Sequence, residues 1–488
     1  MSLINISNLT YCYDGSYDNI FENVSFQIDT DWKLGFTGRN GRGKTTFLNL
    51  LLGKYDYIGT ISSSVSFDYF HFEVADKNQN TAVIIDGICS SYEGWELIRE
   101  LSLLEVPEEV LYRPFETLSN GEQTKVLLAA LFLKTNNFLL IDEPTNHLDL
   151  NARKTVSEYL NSKKGFILVS HDRAFLDNCI DHILSINKTN IEIQKGNFSS
   201  WQYNKEMQDN YEIAENDKLH GEIKKLSVAA KRTADWSDKI EKSKIGEGIY
   251  DRGYVGHKAA KMMKRSKAIE FRKQNSINEK EKLLKNIEEA ESLSLKPMEY
   301  IKKRLIEATE LTVFYGDRKI FENVSFVVNN GERIAIIGKN GSGKSSILKL
   351  LIGEKITYNG NLSIGNNLII SYISQDTSLL KGNLKDFAYE NKIDESLFKA
   401  ILRKLDFSRV QFEKDMIDFS GGQKKKVLIA KSLCQEAHLY IWDEPLNYID
   451  VLSRIQIEEL ILKSNPTMIF VEHDKSFVDA VANKKVFL

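Results

Sequence analysis

The sequence predicts an α/β protein in which two copies of one domain flank a long α-helical hairpin. Three observations carry that expectation. Short strings recur at a nearly constant offset, apolar runs stop at glycine-rich turns before helical patterns, and a middle segment has its apolar residues at helical spacing.

The repeat comes first. Phe-Glu-Asn-Val-Ser-Phe stands at residues 21–26 and again at 321–326. Gly38-Arg39-Asn40-Gly41-Arg42-Gly43-Lys44-Thr45 is echoed by Gly338-Lys339-Asn340-Gly341-Ser342-Gly343-Lys344-Ser345. Leu118-Ser119-Asn120-Gly121-Glu122-Gln123 answers to Phe419-Ser420-Gly421-Gly422-Gln423, and Asp142-Glu143-Pro144 to Asp443-Glu444-Pro445. His171-Asp172 answers to His473-Asp474. The offset drifts only from 300 to 302, so the chain divides into a first domain at 1–202, a middle segment at 203–303 and a second domain at 304–488.

Within each copy, Leu34–Thr37 and Arg333–Ile337 read as strands before the glycine turn, and Thr46–Leu52 and Ser346–Ile352 as the helices after it. Phe138–Ile141 and Leu439–Trp442 read as buried strands ending at the acidic pair, with Gly165–Ser170 and Met468–Val471 as further strands. Strands alternating with helices imply a mainly parallel sheet covered on both faces. In the middle segment, apolar residues fall at 203, 207, 211, 214, 219, 223, 226 and 230, and a second helical pattern runs from Lys258 to Glu291. Between the two lie Gly246, Gly248, Gly253 and Gly256. The expectation is a hairpin with arms of about 33 residues, about 50 Å long at 1.5 Å per residue, and a tip at about 241–257.

Composition narrows the function classes. With 42% hydrophobic and 27% charged residues among 488, the chain is globular rather than disordered or collagen-like. Cys12, Cys89, Cys179 and Cys434 form no C-x-x-C pair, which argues against a zinc ribbon or a disulfide framework. The N-terminus lacks a secretory pattern, and the longest apolar run, Val126–Leu133, is far short of the roughly 18 residues a membrane helix needs. A reducing cytoplasm is the expected setting. The net charge of −3 is unevenly spread: Tyr203–Leu305 carries 24 Lys/Arg against 18 Asp/Glu, leaving −9 on the rest of the chain.

The glycine strings have the form G-x-x-x-x-G-K-[ST], in which backbone N–H groups curl around phosphate oxygens at a helix N-terminus. Lys44 and Lys344 are placed to reach the β- and γ-phosphates. Thr45 and Ser345 offer hydroxyls to Mg²⁺. An isolated match would be explained by a plain strand–turn–helix; two matches, each followed by the same further strings in order, would not. Asp142 and Asp443 end apolar strands where a carboxylate reaches Mg²⁺, and Glu143 and Glu444 are placed to polarise an attacking water. A lone histidine after a strand is more often structural. His171 and His473, however, fall at strand C-termini, where ligands of open α/β sheets collect, and are read as γ-phosphate sensors.

These residues resemble the ATP-binding cassette (ABC) family, with Ser119-Asn120-Gly121-Glu122-Gln123 and Ser420-Gly421-Gly422-Gln423 similar to its signature loop. The resemblance implies two ABC-type nucleotide-binding domains that sandwich two ATP molecules. By that resemblance ATP at one site meets Tyr13, Gly38, Asn40, Gly41, Gly43, Lys44, Thr45 and Thr46, with Ser420, Gly422 and Gln423 from the other cassette. At the other it meets Tyr315, Gly338, Asn340, Gly341, Gly343, Lys344, Ser345 and Ser346, with Ser119, Gly121 and Glu122. Tyr13 and Tyr315 would stack on adenine, although Tyr11 competes for the first role. Asp149 and Asp450 match the inter-cassette aspartates. The implied Mg²⁺ ligands are Thr45, Asp142, Ser345, Asp443 and Gln375. The counterpart of Gln375 is Phe72, which cannot ligate a metal, so ATP is expected at both sites and hydrolysis at one or both.

Twin cassettes joined by a charged hairpin, without a membrane domain, resemble the ABC-F family. That resemblance implies binding at the tRNA exit site of the 70S ribosome, with the linker reaching 23S rRNA near the peptidyl-transferase centre and the peptidyl-site tRNA. The spans from Phe72 to Ser119 (47 positions) and from Gln375 to Ser420 (45) leave no room for a large inserted arm, and only 15 residues follow His473. Together with Gly253–Lys267 and Trp442–Asp450, these features resemble the Lsa and Vga antibiotic-resistance group, which protects ribosomes from lincosamides, pleuromutilins and streptogramin A. From the residues alone, Arg252–Lys273 carries eight Lys/Arg against Glu270, a segment suited to phosphate contact or simply a solvated charged face. The expected ribosome contacts are Ile245, Ile249, Tyr250, Arg252, Tyr254, His257, Lys258, Lys261, Lys264, Arg265 and Lys267. A housekeeping factor for stalled ribosomes and the ATPase subunit of an exporter remain alternatives. A monomer with intramolecular cassette pairing is expected.

Overall fold

The computed structural model describes residues 2–13, 19–72, 74–145, 148–187, 190–242, 261, 264, 268, 271, 272, 293, 295–316 and 318–488. The chain forms two compact units, one made of Met1–Trp201 with Ala290–Leu488 and the other of Gln202–Glu289.

The first cassette contains strands β1 (Leu3–Tyr11), β2 (Phe21–Asp29), β3 (Lys33–Thr37), β4 (Ile58–Ser62), β5 (Ser66–Phe70), β6 (Asn137–Asp142), β7 (Phe166–Val169), β8 (His182–Asn187) and β9 (Asn190–Lys195). Its main sheet has the order β5-β6-β7-β3-β8-β9 and is parallel except for the β8–β9 hairpin. β3 therefore lies inside the sheet, between β7 and β8, where its apolar residues Leu34 and Phe36 are fully buried. β7 is buried along its whole length, as a central parallel strand covered on both faces requires.

The second cassette repeats this plan with β10 (Arg304–Tyr315), β11 (Arg318–Asn329), β12 (Arg333–Ile337), β13 (Thr357–Ile364), β14 (Ile370–Ile373), β15 (Leu439–Asp443), β16 (Met468–Val471) and β17 (Lys484–Phe487). Its parallel sheet runs β14-β15-β16-β12-β17. Each cassette adds a three-stranded antiparallel sheet, β2-β1-β4 and β11-β10-β13, which the apolar-run reading of the sequence did not anticipate. These strands alternate buried and exposed residues, as in Leu3–Tyr11, and so carry no continuous apolar run. Apolar cores lie on both faces of each parallel sheet.

The two cassettes face one another within the larger unit. Val451 of the second packs into the core of the first, and Arg173 pairs with Glu458. Arg153 Nη1 donates to Asp172 Oδ2 at 2.9 Å and across to the His473 carbonyl at 3.1 Å.

A 45-residue helix, Phe198–Lys242, begins on the first cassette, where Phe198 and Trp201 are buried. It extends past residue 230, the last position of the first helical pattern, and enters the sequence read as the hairpin tip. No proline stands between Phe198 and Lys242, and the single glycine there, Gly221, is accommodated within the helix. The helical spacing is real, yet Tyr203, Met207 and Tyr211 are exposed. Lys261 and Lys264 are helical and exposed, while Ile245, Ile249, Tyr250, Arg252, Tyr254, His257, Lys258, Arg265 and Lys267 lie outside the described residues. On the second cassette, the chain that precedes β10 is stitched to the sheet. Leu293 and Leu295 are buried in its core, Met298 N–H donates to the Ala437 carbonyl at 2.9 Å, and Tyr300 Oη donates to the Asn366 carbonyl at 2.8 Å.

Phe166 in β7 is fully buried. Phe166→Ala is expected to destabilise the fold by about 3–5 kcal/mol. Val83→Ala, at an exposed helical position, should stay within about 0.5 kcal/mol, both read by chemical denaturation.

Candidate functional site

The glycine strings form the loops that the sequence predicts between β3 or β12 and the following helices, Lys44–Leu51 and Lys344–Leu351. Gly43 and Gly343 adopt left-handed backbone, φ 94° and 92°, and a Cβ on either would come within 2.5 Å of an isoleucine methyl, of Ile20 or Ile320. Only glycine satisfies both conditions. Neither helix start has a side-chain cap, so its first N–H groups remain available to an anion. Lys44 Nζ rests on the Gly38 carbonyl at 2.7 Å, and Lys344 Nζ on that of Gly338 at 2.9 Å. Burial lowers the pKa of both lysines.

Each loop opens into a cavity whose far wall is the other cassette. The first cavity, about 660 Å³, is lined by Tyr13, Asn40, Gly41, Gly43, Lys44, Thr45, Thr46, Asp142, Glu143 and His171, with Ser420, Gly422 and Gln423 from the second cassette. The second, about 940 Å³, is lined by Tyr315, Asn340, Gly341, Gly343, Lys344, Ser345, Ser346, Gln375, Glu444 and His473, with Ser119, Gly121 and Glu122 from the first. Gly422 is held so close to the Tyr448 carbonyl that a Cβ would sit 2.5 Å from it. Asn40 Nδ2 donates to that same carbonyl at 2.8 Å, tying the first phosphate loop to the opposite cassette. Tyr13 Oη is 2.6 Å from Thr46 Oγ1. Glu122 and Gln423 are engaged as helix caps: Glu122 Oε2 accepts the Ser119 N–H at 2.8 Å, and Gln423 Oε1 that of Ser420 at 2.9 Å.

The acidic pairs stand at the ends of β6 and β15. Glu143 and Glu444 share a strained left-handed backbone, φ 50° and 47°, each N–H held by a carbonyl of the next strand, Val169 or Val471. Their surroundings differ. Glu444 Oε2 accepts from Gln375 Nε2 at 2.8 Å and Asn447 Nδ2 at 2.7 Å, and His473 Nε2 lies 3.2 Å from Oε1. Burial alone would raise its pKa; the histidine and the two amides outweigh it and bring the carboxyl to about 2. In the first site Phe72 replaces the glutamine and is partly exposed. Burial and the adjacent Asp142 charge push Glu143 up to about 8, with His171 Nε2 3.3 Å from Oε1. Burial, with the charges of Lys44 and Arg454, holds His171 well below the usual imidazole range.

The donor sets fit a small hard cation. Thr45 Oγ1 donates to Asp142 Oδ2 at 3.3 Å, Ser345 hydrogen-bonds Asp443, and Asp443 Oδ1 is buried without a hydrogen-bond partner. A hydroxyl beside a carboxylate suits Mg²⁺ whose remaining ligands are phosphate oxygens and water. No cluster of three or more His, Cys, Asp or Glu that could hold a metal occurs among the described residues. Gln375 is turned to Glu444 rather than to this pair.

The structure adds residues that sequence reasoning passed over. Tyr69 Oη donates to Asp142 Oδ2 at 2.9 Å. Lys426 pairs with fully buried Asp450 at 3.1 Å, and Arg454 with Asp474 at 3.0 Å. Arg153 and Arg454 were findable, since they hold the same residue at an offset of 301. Asp149 and Asp450 cap the helices Leu150–Asn161 and Val451–Ser464.

Two phosphate loops facing two signature segments define a twin-cassette nucleotide-binding protein. The sequence profile of the ABC transporter family matches residues 21–146 and 321–447, more than half of the chain, and the chain belongs to that family. It is an ATPase with two ATP-binding domains. Among curated proteins it is similar to the ribosome protection protein VmlR of Bacillus subtilis, with 27% identity over 100% of this chain and 86% of that one. It is also similar to the ATP-binding protein Uup of Buchnera aphidicola, with 28% identity over 99% and 80%. Among solved structures, an RNase-L inhibitor superposes with a TM-score of 0.62 at 21% identity, covering 99% of this chain and 87% of the other. An archaeal ribosome recycling factor, solved with a ribosomal stalk protein, gives 0.61 at 20%, covering 98% and 87%. These two support the fold.

The carboxyl environments predict different pH profiles. With Glu143 and Glu444 read as the two general bases, Glu444→Gln is expected to leave turnover to the first site, where Glu143 loses its proton as pH rises through about 8, so phosphate release should increase across that range. Glu143→Gln leaves the second site, whose carboxyl ionises at about 2, and its profile should be flat from about pH 6 to about pH 9.

Proposed function

We propose that this chain is an ABC-F protein that uses ATP to act on the 70S ribosome and protects it from drugs at the peptidyl-transferase centre. The observation that carries the reading is the full-length similarity to a protein named for ribosome protection, in a chain whose two cassettes close on each other. No helix among the described residues is long and apolar enough to cross a membrane.

In this reading ATP occupies both cavities and draws the cassettes together, because each nucleotide touches residues of both. Thr45 with Asp142, and Ser345 with Asp443, would hold Mg²⁺, which neutralises phosphate charge when bound. Glu444 takes the proton of the attacking water at the second site, held in place by Gln375, Asn447 and His473. Glu143 and His171 form the corresponding pair at the first. With the cassettes closed, the protein enters the tRNA exit site, and the segment that includes Lys261 and Lys264 meets 23S rRNA and the peptidyl-site tRNA end. Lincosamides, pleuromutilins and streptogramin A lose their pocket, and hydrolysis reopens the cassettes. The protein works in the cytoplasm as a monomer.

A housekeeping role at stalled ribosomes is the second reading, favoured by equal similarity to a protein named only for ATP binding. Expression in a sensitive bacterium separates the two. Resistance to the three drug classes from the active chain, absent with Glu143→Gln/Glu444→Gln, supports protection. Unchanged susceptibility, with growth arrested by the double variant, supports the housekeeping role. The double variant should co-sediment with 70S ribosomes in ATP; sedimentation free of ribosomes would overturn both.

A further inference from the structure

Lys425 is the buried cation that the chemistry above leaves unused. It lies one turn inside the helix Gly421–Cys434, 3% exposed. Its Nζ donates to the Ser374 carbonyl at 3.1 Å and approaches the Asp443 carbonyl at 3.5 Å. Among the described residues it has no carboxylate at ion-pair distance, although Glu472, Asp443 and Glu444 bear on it through space. An ammonium buried on carbonyl oxygens is a poor choice for stability. The first cassette shows that the fold does not require it. The equivalent residue there is Thr124, also buried, and its hydroxyl turns back to the Asn120 carbonyl of its own helix at 2.9 Å.

The position of this lysine joins the two cavities. The start of its helix, Ser420–Gly422, forms a wall of the first cavity. Ser374, which it holds, directly precedes Gln375, whose amide sits on Glu444 in the second. In the first cassette both parts are missing together: Thr124 replaces the lysine and Phe72 replaces the glutamine.

We propose that Lys425 is a positioning residue that makes the second site answer to the first. Nucleotide in the first cavity seats the helix start at Ser420–Gly422, and Lys425 transmits that seating to Ser374, keeping Gln375 on Glu444. The first cassette has no mirror-image link, because the Thr124 hydroxyl turns back to its own helix and Phe72 stands where Gln375 would be. The inference rests on the proposed hydrolysis of ATP at the second site.

The test uses the full chain carrying Glu143→Gln, so that turnover reports the second site. Lys425→Thr and Lys425→Met should lower kcat about tenfold with KM for Mg-ATP unchanged, and Lys425→Arg should restore most of it. Lys425→Met should melt no lower than the parent, which separates positioning from folding. Gln375→Ala should lower kcat similarly, and adding Lys425→Thr to it should cost nothing more. Ser420→Arg, which obstructs the first cavity, should depress turnover when Lys425 is present and add nothing when it is Thr. Full kcat in Lys425→Thr, or effects that multiply with Gln375→Ala, would overturn the proposal. If Glu444→Gln leaves turnover unchanged in this background, the hydrolysis reading itself fails instead.

Discussion

Charge buried between two facing cassettes is the constraint on which the rest of this structure depends. Lys44, His171, Asp172, Lys426, Asp450, Arg454 and Asp474 come from both cassettes and are almost wholly removed from water. Singly, each would carry a desolvation cost of several kcal/mol. Together they offset one another: Arg454 faces Asp474 and Asp172, Lys426 faces Asp450, and Asp450 in turn bears on Lys44 of the opposite cassette. The side-chain amide of Asn40 on the Tyr448 carbonyl, and the guanidinium of Arg153 on the His473 carbonyl, follow from holding those faces in register.

The same frame produces two unlike sites from one repeated sequence. Their backbones match, down to the left-handed turn at each glutamate. The side chains around those glutamates do not. One carboxylate is surrounded by amides and an imidazole that favour its charge; the other has lost an amide and sits beside an aspartate that disfavours it. A single exchange, phenylalanine for glutamine, accounts for part of this difference, and Tyr69 on Asp142 adds a donor to the first site's aspartate. Symmetry of fold is thus compatible with division of labour.

Much of this was legible in the sequence because it depends on local chemistry. The glycine turns, the strand-terminal acidic pairs and the repeat spacing are each dictated by short stretches of chain, and Phe72 stood out against Gln375 by register alone. The antiparallel sheets were harder to see, since half-exposed strands such as Leu3–Tyr11 carry alternation rather than an apolar run. The roles of Tyr69, Lys425, Lys426 and Arg454 were not legible, because each acts on a residue brought near by the tertiary fold. Lys425 stands 51 positions from the carbonyl it holds, and nothing in a lysine-rich string distinguishes a buried lysine from a solvated one. The helix from Phe198 to Lys242 is longer than the apolar spacing at 203–230 indicated, because a helix can continue through polar residues that carry no such spacing.

The segment between the cassettes is rooted at both ends in folded cores, Phe198 and Trp201 in one cassette and Leu293 and Leu295 in the other. Thermodynamic linkage then requires reciprocity. Any macromolecule that grips this segment more tightly when the roots stand at one separation must favour that separation, and must change the nucleotide affinity of both cavities by the same factor by which nucleotide changes its own. The cassettes are therefore as much a receiver for what the segment meets as a motor that drives it.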